Sequence, residues 1–177
     1  MKKVVLTLVM IAVAIGASAQ NDAISKYFDK YVDDESFMHI NISGKMFQMM
    51  AKIQLENEDE QKWMEKSVGK IQRVQVLAKE DSVDGSKMYK EANIMVDGKG
   101  FEELMSLRED DKDIRFMIKE KDNKIDELFM VMGGDNEFAL LSIVGDGIDL
   151  NALYKLSKQI GMDGFEELEF LEKIDGN

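Results

Sequence analysis

The chain has 177 residues, 45% of them hydrophobic and 33% charged, with 23 basic against 35 acidic side chains and a net charge of −12. That balance describes one folded domain with a heavily ionised surface, and its acid excess argues against nucleic-acid binding and against anionic membrane faces. Cysteine is absent, which excludes disulfides and any cysteine-linked lipid anchor, so the hydrophobic core must carry the stability.

The N-terminus reads as an export signal. Lys2 and Lys3 precede an apolar run from Val4 to Ile15 broken only by Thr7, and Gly16 leads into Ala17-Ser18-Ala19. This is the n-region, h-region and A-x-A order of a secretory signal, too short and wrongly flanked for a stable membrane span. The expectation is a signal peptide over 1–19, cleavage between Ala19 and Gln20, and a single domain over 20–177. The mature chain would then be soluble in the periplasm or secreted, with no transmembrane segment and no lipid anchor. Loss of the two leader lysines takes its net charge from −12 to −14.

The first element of the domain is an amphipathic helix opening near Asp22, with Ile24, Tyr27, Phe28 and Tyr31 on one face. Asp33-Asp34-Glu35 ends it. Phe37 to Ile42 alternates, Met38, Ile40 and Ile42 against His39 and Asn41, as a strand does. Ser43 is placed to cap a helix carrying Met46, Phe47, Met50 and Ile53. The acidic stretch Glu56 to Glu60 interrupts it before a further helical piece around Trp63 and Met64. Val74, Val76 and Ala78 mark a second strand.

Asp81 to Ser86 is predicted as a loop, followed by a helix with Met88, Tyr89, Ala92, Met95 and Val96 on one face and a stop at Gly98-Lys99-Gly100. Phe101, Leu104 and Met105 have the spacing of a short helix. Three strands come next: Ile114 to Ile118, Leu128 to Met132, and Phe138 to Val144. Asp122-Asn123 forms the first turn between them and Gly133-Gly134-Asp135-Asn136 the second. The last two strands are almost continuously apolar, the pattern of strands buried on both faces or central in a sheet. Asp149 is placed to cap a helix with Leu150, Leu153, Ser157 and Ile160 on one face, and Phe165 to Ile174 reads as a short terminal helix. Gly-Phe-Glu-Glu-Leu occurs at 100–104 and again at 164–168; both copies read as helix starts, without a duplicated unit around them. The expected fold class is α+β, a mostly antiparallel sheet of about five strands with helices packed on it, ending in a three-strand meander and a helix.

The segments IQRVQVL (Ile71–Leu77), GFEELMSL (Gly100–Leu107) and LFMVMGGDNEFALLSIVGDGIDLNAL (Leu128–Leu153) resemble a domain-of-unknown-function family of small exported proteins from Bacteroidetes-type bacteria. The resemblance implies an envelope protein over most of the mature chain. It carries no reaction and no catalytic residues.

Chemistry-bearing motifs are sparse, so no catalytic, cofactor-binding or metal-ligating residue is expected. His39 is the single histidine, and no carboxylate or nucleophile stands at a spacing that would orient it, so a surface or edge-strand role is its default. Asp146, Asp149 and Asn151 cluster after the last strand but do not follow a calcium-loop pattern. Met46, Met49 and Met50 share a helix face; thioethers suit Cu(I), yet methionine at an apolar face is ordinarily core. Asp81-Ser82-Val83 matches a Bacteroidetes-type O-glycosylation triplet, which makes Ser82 a candidate acceptor. Asn41-Ile42-Ser43 is a formal N-glycosylation sequon, discounted because it lies in a strand.

The functional expectation is an exported, non-enzymatic envelope protein that binds another protein. Two apolar strands offer Phe129, Val131, Phe138 and Leu140 to one face and Leu128, Met130, Met132, Leu141 and Ile143 to the other. With helices on one side only, the second set is an open, methionine-rich patch of the kind that marks an interaction surface. The alternative is a carrier for a hydrophobic small molecule using the same face as a cleft wall, and an enzyme of unrecognised type comes third.

Overall fold

Two strands with apolar residues on both faces organise the molecule. In the computed structural model, which describes residues 21–51 and 58–160, the apolar runs become β5 (Lys124–Gly134) and β6 (Glu137–Gly145). They pair antiparallel, Leu128 opposite Ile143, Met130 opposite Leu141 and Val131 opposite Leu140. Four further strands extend this pair: β1 (Met38–Ser43), β2 (Ile71–Glu80), β3 (Glu102–Arg108) and β4 (Lys112–Lys121). The sheet order is β1-β2-β6-β5-β4-β3 and every neighbouring pair is antiparallel. The fold is therefore α+β, with six strands where about five were expected, and the meander at its end runs through β3 to β6.

Helices cover both faces. On one, α1 (Asn21–Tyr31) and α4 (Gly85–Val96) lay Ile24, Tyr27, Phe28, Met88, Ala92 and Val96 over Leu77, Met117, Phe129, Val131, Phe138 and Leu140. On the other, Val68 from α3 (Glu58–Val68) and Ala152, Leu153 and Tyr154 from α5 (Leu150–Ile160) join Ile148. They pack with Val74, Ile114, Phe116, Leu128, Met130, Leu141 and Ile143. The short α2 (Gly44–Ala51) sits against β1, β2 and α3.

Local chemistry explains most boundaries. Ser43 Oγ accepts the Met46 N–H at 3.3 Å and Asp149 Oδ1 accepts the Ala152 N–H at 3.1 Å, each satisfying a first-turn donor of α2 and α5. Asp122 and Asn123 have φ of 52° and 60°, the left-handed pair of a tight two-residue hairpin.

Two expectations need correction. The predicted helix at Phe101, Leu104 and Met105 is the edge strand β3. Gly98 and Gly100, at φ of 67° and 80°, turn the chain just before it, and β4 offers an unpaired edge to which Glu102–Ile118 and Arg108–Asp113 register. Pairing with β4 outweighs the helical spacing. Met105 alone of this strand packs on the core, opposite Phe116, while Leu104 falls at a register shift and is exposed. Secondly, Gly133 and Gly134 are not turn residues but the last residues of β5, leaving Asp135 and Asn136 as the bend. Their role is close approach: a Cβ on Gly133 would lie 2.5 Å from Tyr89 Cβ and 2.6 Å from the Gly85 carbonyl oxygen. The start of α4 thus rests directly on the sheet backbone. The predicted terminal helix Phe165–Ile174, the second Gly-Phe-Glu-Glu-Leu, Ile53 and the first two positions of the acidic stretch lie outside the described residues.

Two stability predictions follow from this packing. Gly133→Ala should cost about 1–3 kcal/mol through overpacking, read as a lower denaturant midpoint at unchanged m-value; an unchanged midpoint would contradict the backbone contact. Met130→Lys, which puts a charge at a site 8% exposed, should cost about 3 kcal/mol or more and lower Tm by roughly 10 °C.

Candidate interaction surface

The face formed by Leu128, Met130, Met132, Leu141 and Ile143 is not an open surface. Leu128, Leu141 and Ile143 are buried, Met130 is buried and Met132 half-buried, packed in one cluster with Val68, Ile148, Leu153 and Tyr154. The partition of residues between the two faces is as the alternation requires, but both faces carry helices. The same packing occupies the wall that a cleft for a hydrophobic ligand would need.

Exposed apolar side chains gather instead at one edge. Among the described residues β1 is an outer strand, paired with β2 alone in unbroken register from Met38 opposite Ala78 to Ser43 opposite Arg73. Met38 is 55% and Ile40 36% exposed, although the alternation that places them on one face suggests a buried side. Their face of the sheet is the Val74 and Leu141 face, but at the margin the helical layer leaves them open. Beside them α2 exposes Met46 and Met49, contrary to their expected place in the core. β1 carries no acidic, lysine or arginine side chain and no register shift. Half of its backbone N–H and C=O groups turn away from β2, as in any outer strand.

The opposite edge is built differently. β3 bears Glu102, Glu103 and Arg108 and is interrupted by the register shift at Leu104. Two of these charges are paired across to β4, Arg115 Nε to Glu103 and Arg108 Nε to Asp113, each at 2.6 Å. Charges and bulges are the devices that stop an edge from recruiting further strands. β3 has both and β1 neither.

Behind β3 lies an open depression of about 530 Å³ lined by Tyr89, Asn93, Glu103, Ser106, Arg108 and Arg115 among others. Arg115 Nη1 donates to Asn93 Oδ1 at 2.8 Å and Ser106 Oγ donates to Glu103 Oε1 at 2.8 Å. The Ser106 hydroxyl, and after it Arg115, hold the Glu103 carboxyl below its ordinary pKa. Its contribution to stability is therefore present above the ordinary carboxylate pKa and is lost as pH falls through the depressed folded value. Ser106→Ala should move the Glu103 titration upward, as followed by carboxyl NMR shifts; an unmoved titration would contradict this hydrogen bond. A second open depression, of about 620 Å³, lies at the other end of β1 between Ser43, Lys45, Gln48, Lys70 and Asp146.

The remaining singled-out residues have structural surroundings. Ser82 is 3% exposed, its N–H bonded to the Asn136 carbonyl and its own carbonyl accepting from Gly85, so the folded surface does not offer its hydroxyl for glycosylation; Val83 beside it is the exposed member. Asp149 spends one carboxylate oxygen on the α5 cap and the other on Ser67 Oγ at 3.1 Å, while Asp146 pairs with Lys124 at 3.7 Å. The His39 ring lies 5.9 Å from that of Phe28, and its Nε2 is buried without a hydrogen-bond partner, as is Gln75 Oε1 on the same face of β2. Met50 and the Ala19–Gln20 cleavage site have no described side-chain environment. Among the described residues no helix is long and apolar enough to cross a membrane.

Residues 28–156 match the model of a family described as a domain of unknown function, DUF4252, and the chain belongs to that family. No curated protein and no solved structure matches it.

Proposed function

We propose that this member of the family is an exported, non-enzymatic protein-interaction module of the cell envelope, and that its contact is the β1 edge. The observation that carries the reading is the contrast between the two outer strands. β3 is charged and bulged, whereas β1 is regular and uncharged and has exposed Met38 and Ile40 with Met46 and Met49 beside it. An outer strand of that kind binds by adding a strand, the partner's main chain supplying affinity and alternate side chains supplying selection. Methionine adapts its shape to a partner more readily than branched residues do.

The non-enzymatic part is supported by His39, whose imidazole faces Phe28 rather than a carboxylate, and by Asp149, whose oxygens serve a helix cap and Ser67. Export is supported by Lys2, Lys3, the Val4–Ile15 run and Ala17-Ser18-Ala19. The native protein should begin at Gln20 on N-terminal sequencing, and a chain still beginning at Met1 would sink the export claim. For the contact itself, tagged protein should capture a partner from envelope extract. Ile40→Lys should abolish that capture while melting within about 2 °C of the parent, as a tolerated surface change does, and Leu107→Lys on β3 should leave it intact. Equal capture by both variants would remove β1 from the reading.

A further inference from the structure

We infer that the strand that β1 accepts is the β1 of a second copy of this chain, paired antiparallel about a two-fold axis to give one continuous twelve-stranded sheet; this rests on the reading of β1 as the contact edge. The sequence of the strand is self-complementary. Centred on Ile40, an antiparallel pair sets Ile40 opposite Ile40 of the second copy and Met38 opposite Ile42, with His39 opposite Asn41 on the other face. The axis stands perpendicular to the sheet, so the apolar face continues from one copy into the other. Met38 and Ile40, exposed at the margin of the single chain, become cross-strand neighbours, which sit about 4.5–5.5 Å apart at Cβ.

Charge at the two ends of β1 favours the same direction of pairing. Asp33, Asp34 and Glu35 are exposed just before the strand, and Lys45 and Lys70 are exposed at its other end, where β2 begins. Antiparallel pairing brings the acidic end of each copy to the basic end of the other, twice, with Glu35 and Lys45 equally far along the chain from Ile40, just beyond the two ends of the strand. Parallel pairing would set acid against acid and lysine against lysine. The local complementarity exists although the whole chain is acidic, and it selects both partner and orientation. A two-fold contact of this form closes on itself: each copy uses the one sheet edge that, among the described residues, carries neither charge nor bulge, and the charged, bulged β3 strands are left at the two outer ends.

The test uses the purified mature chain and the absence of native cysteine. Light scattering at about 100 μM, well above a micromolar Kd, should give twice the monomer mass, and Ile40→Lys should give the monomer with an unchanged melt. Under mild oxidation Ile40→Cys should cross-link to itself, whereas Leu107→Cys, equally exposed on β3 (37% against 36%), should not. Cross-linking keeps the claim testable if the lysine variant fails to fold. Lys45→Glu should weaken dimerisation by roughly threefold to tenfold, and Glu35→Lys added to it should restore the parent value. A monomeric parent protein, or a dimer that cross-links equally at both edges, overturns self-pairing. A monomer that still captures an envelope partner in an Ile40-dependent way overturns self-pairing alone and leaves the β1 contact standing.

Discussion

The constraint on which the structure depends is that β5 and β6 are apolar on both faces. A sheet built on such a pair has no solvent side at its centre, and helices on one face alone would leave Leu128, Met130, Leu141 and Ile143 in water. At roughly 1.5–3 kcal/mol for each large apolar side chain buried, that exposure is too costly for a domain whose net stability is of order 10 kcal/mol. The second layer, from Val68 through Ile148 to Tyr154, is therefore required by the strands. The first layer is held closer still, because glycine at 85 and 133 lets the start of α4 touch the sheet backbone. Ala92, fully buried two turns further along the same face of the helix, belongs to the same close seat.

Covering both faces moves the question of function to the rim. A six-stranded sheet closed by helices above and below has two ends where backbone donors and acceptors meet solvent, and it must protect or use each of them. At β3 protection is explicit: the ion pairs Glu103–Arg115 and Arg108–Asp113 and the bulge at Leu104. Among the described residues β1 shows neither device: it carries no acid, lysine or arginine, and Met38 and Ile40 are exposed on it. The difference lies in side-chain choice and not in topology, since both strands are outermost and both pair antiparallel with one neighbour. Such an asymmetry is what separates a sheet that ends at both sides from one that continues at one of them.

Polar residues with chemical potential are absorbed into this framework. Asp149 holds the start of α5 and ties it to Ser67 on α3, joining the two helices of one layer. Glu127 and Lys119 pair at 3.5 Å across β4 and β5 with little exposure of either, which neutralises two charges that the sheet has taken from water. Burial of the inner face of α1 also pushes the Tyr27 phenol well above its ordinary pKa, with Tyr31 beside it adding to the shift; it stays a neutral donor, its hydroxyl directed at the Met88 carbonyl.

Periodicity by itself determined the helices at Ile24–Tyr31, Met88–Val96 and Leu150–Ile160, five of the strands, the hairpin turn at Asp122-Asn123 and the division of β5 and β6 residues between faces. These are local consequences of side-chain spacing, caps and turn geometry. Tertiary structure decided what spacing does not encode. Residues 102–108 read as helix and became a strand because an unpaired neighbour edge was at hand. Gly133 and Gly134 read as turn and serve instead as a landing for α4. The apolar sets of β5 and β6 were visible, but whether the second was covered depended on where distant helices packed. Ser82 looked like loop surface and is enclosed by contacts with residues far along the chain. Likewise, alternation in β1 marks Met38 and Ile40 as an inner face in the same way as it marks Val74 and Val76. Only the strand order puts β1 outermost and leaves that face uncovered, because exposure is a property of neighbours brought together by folding and not of the residues that meet there.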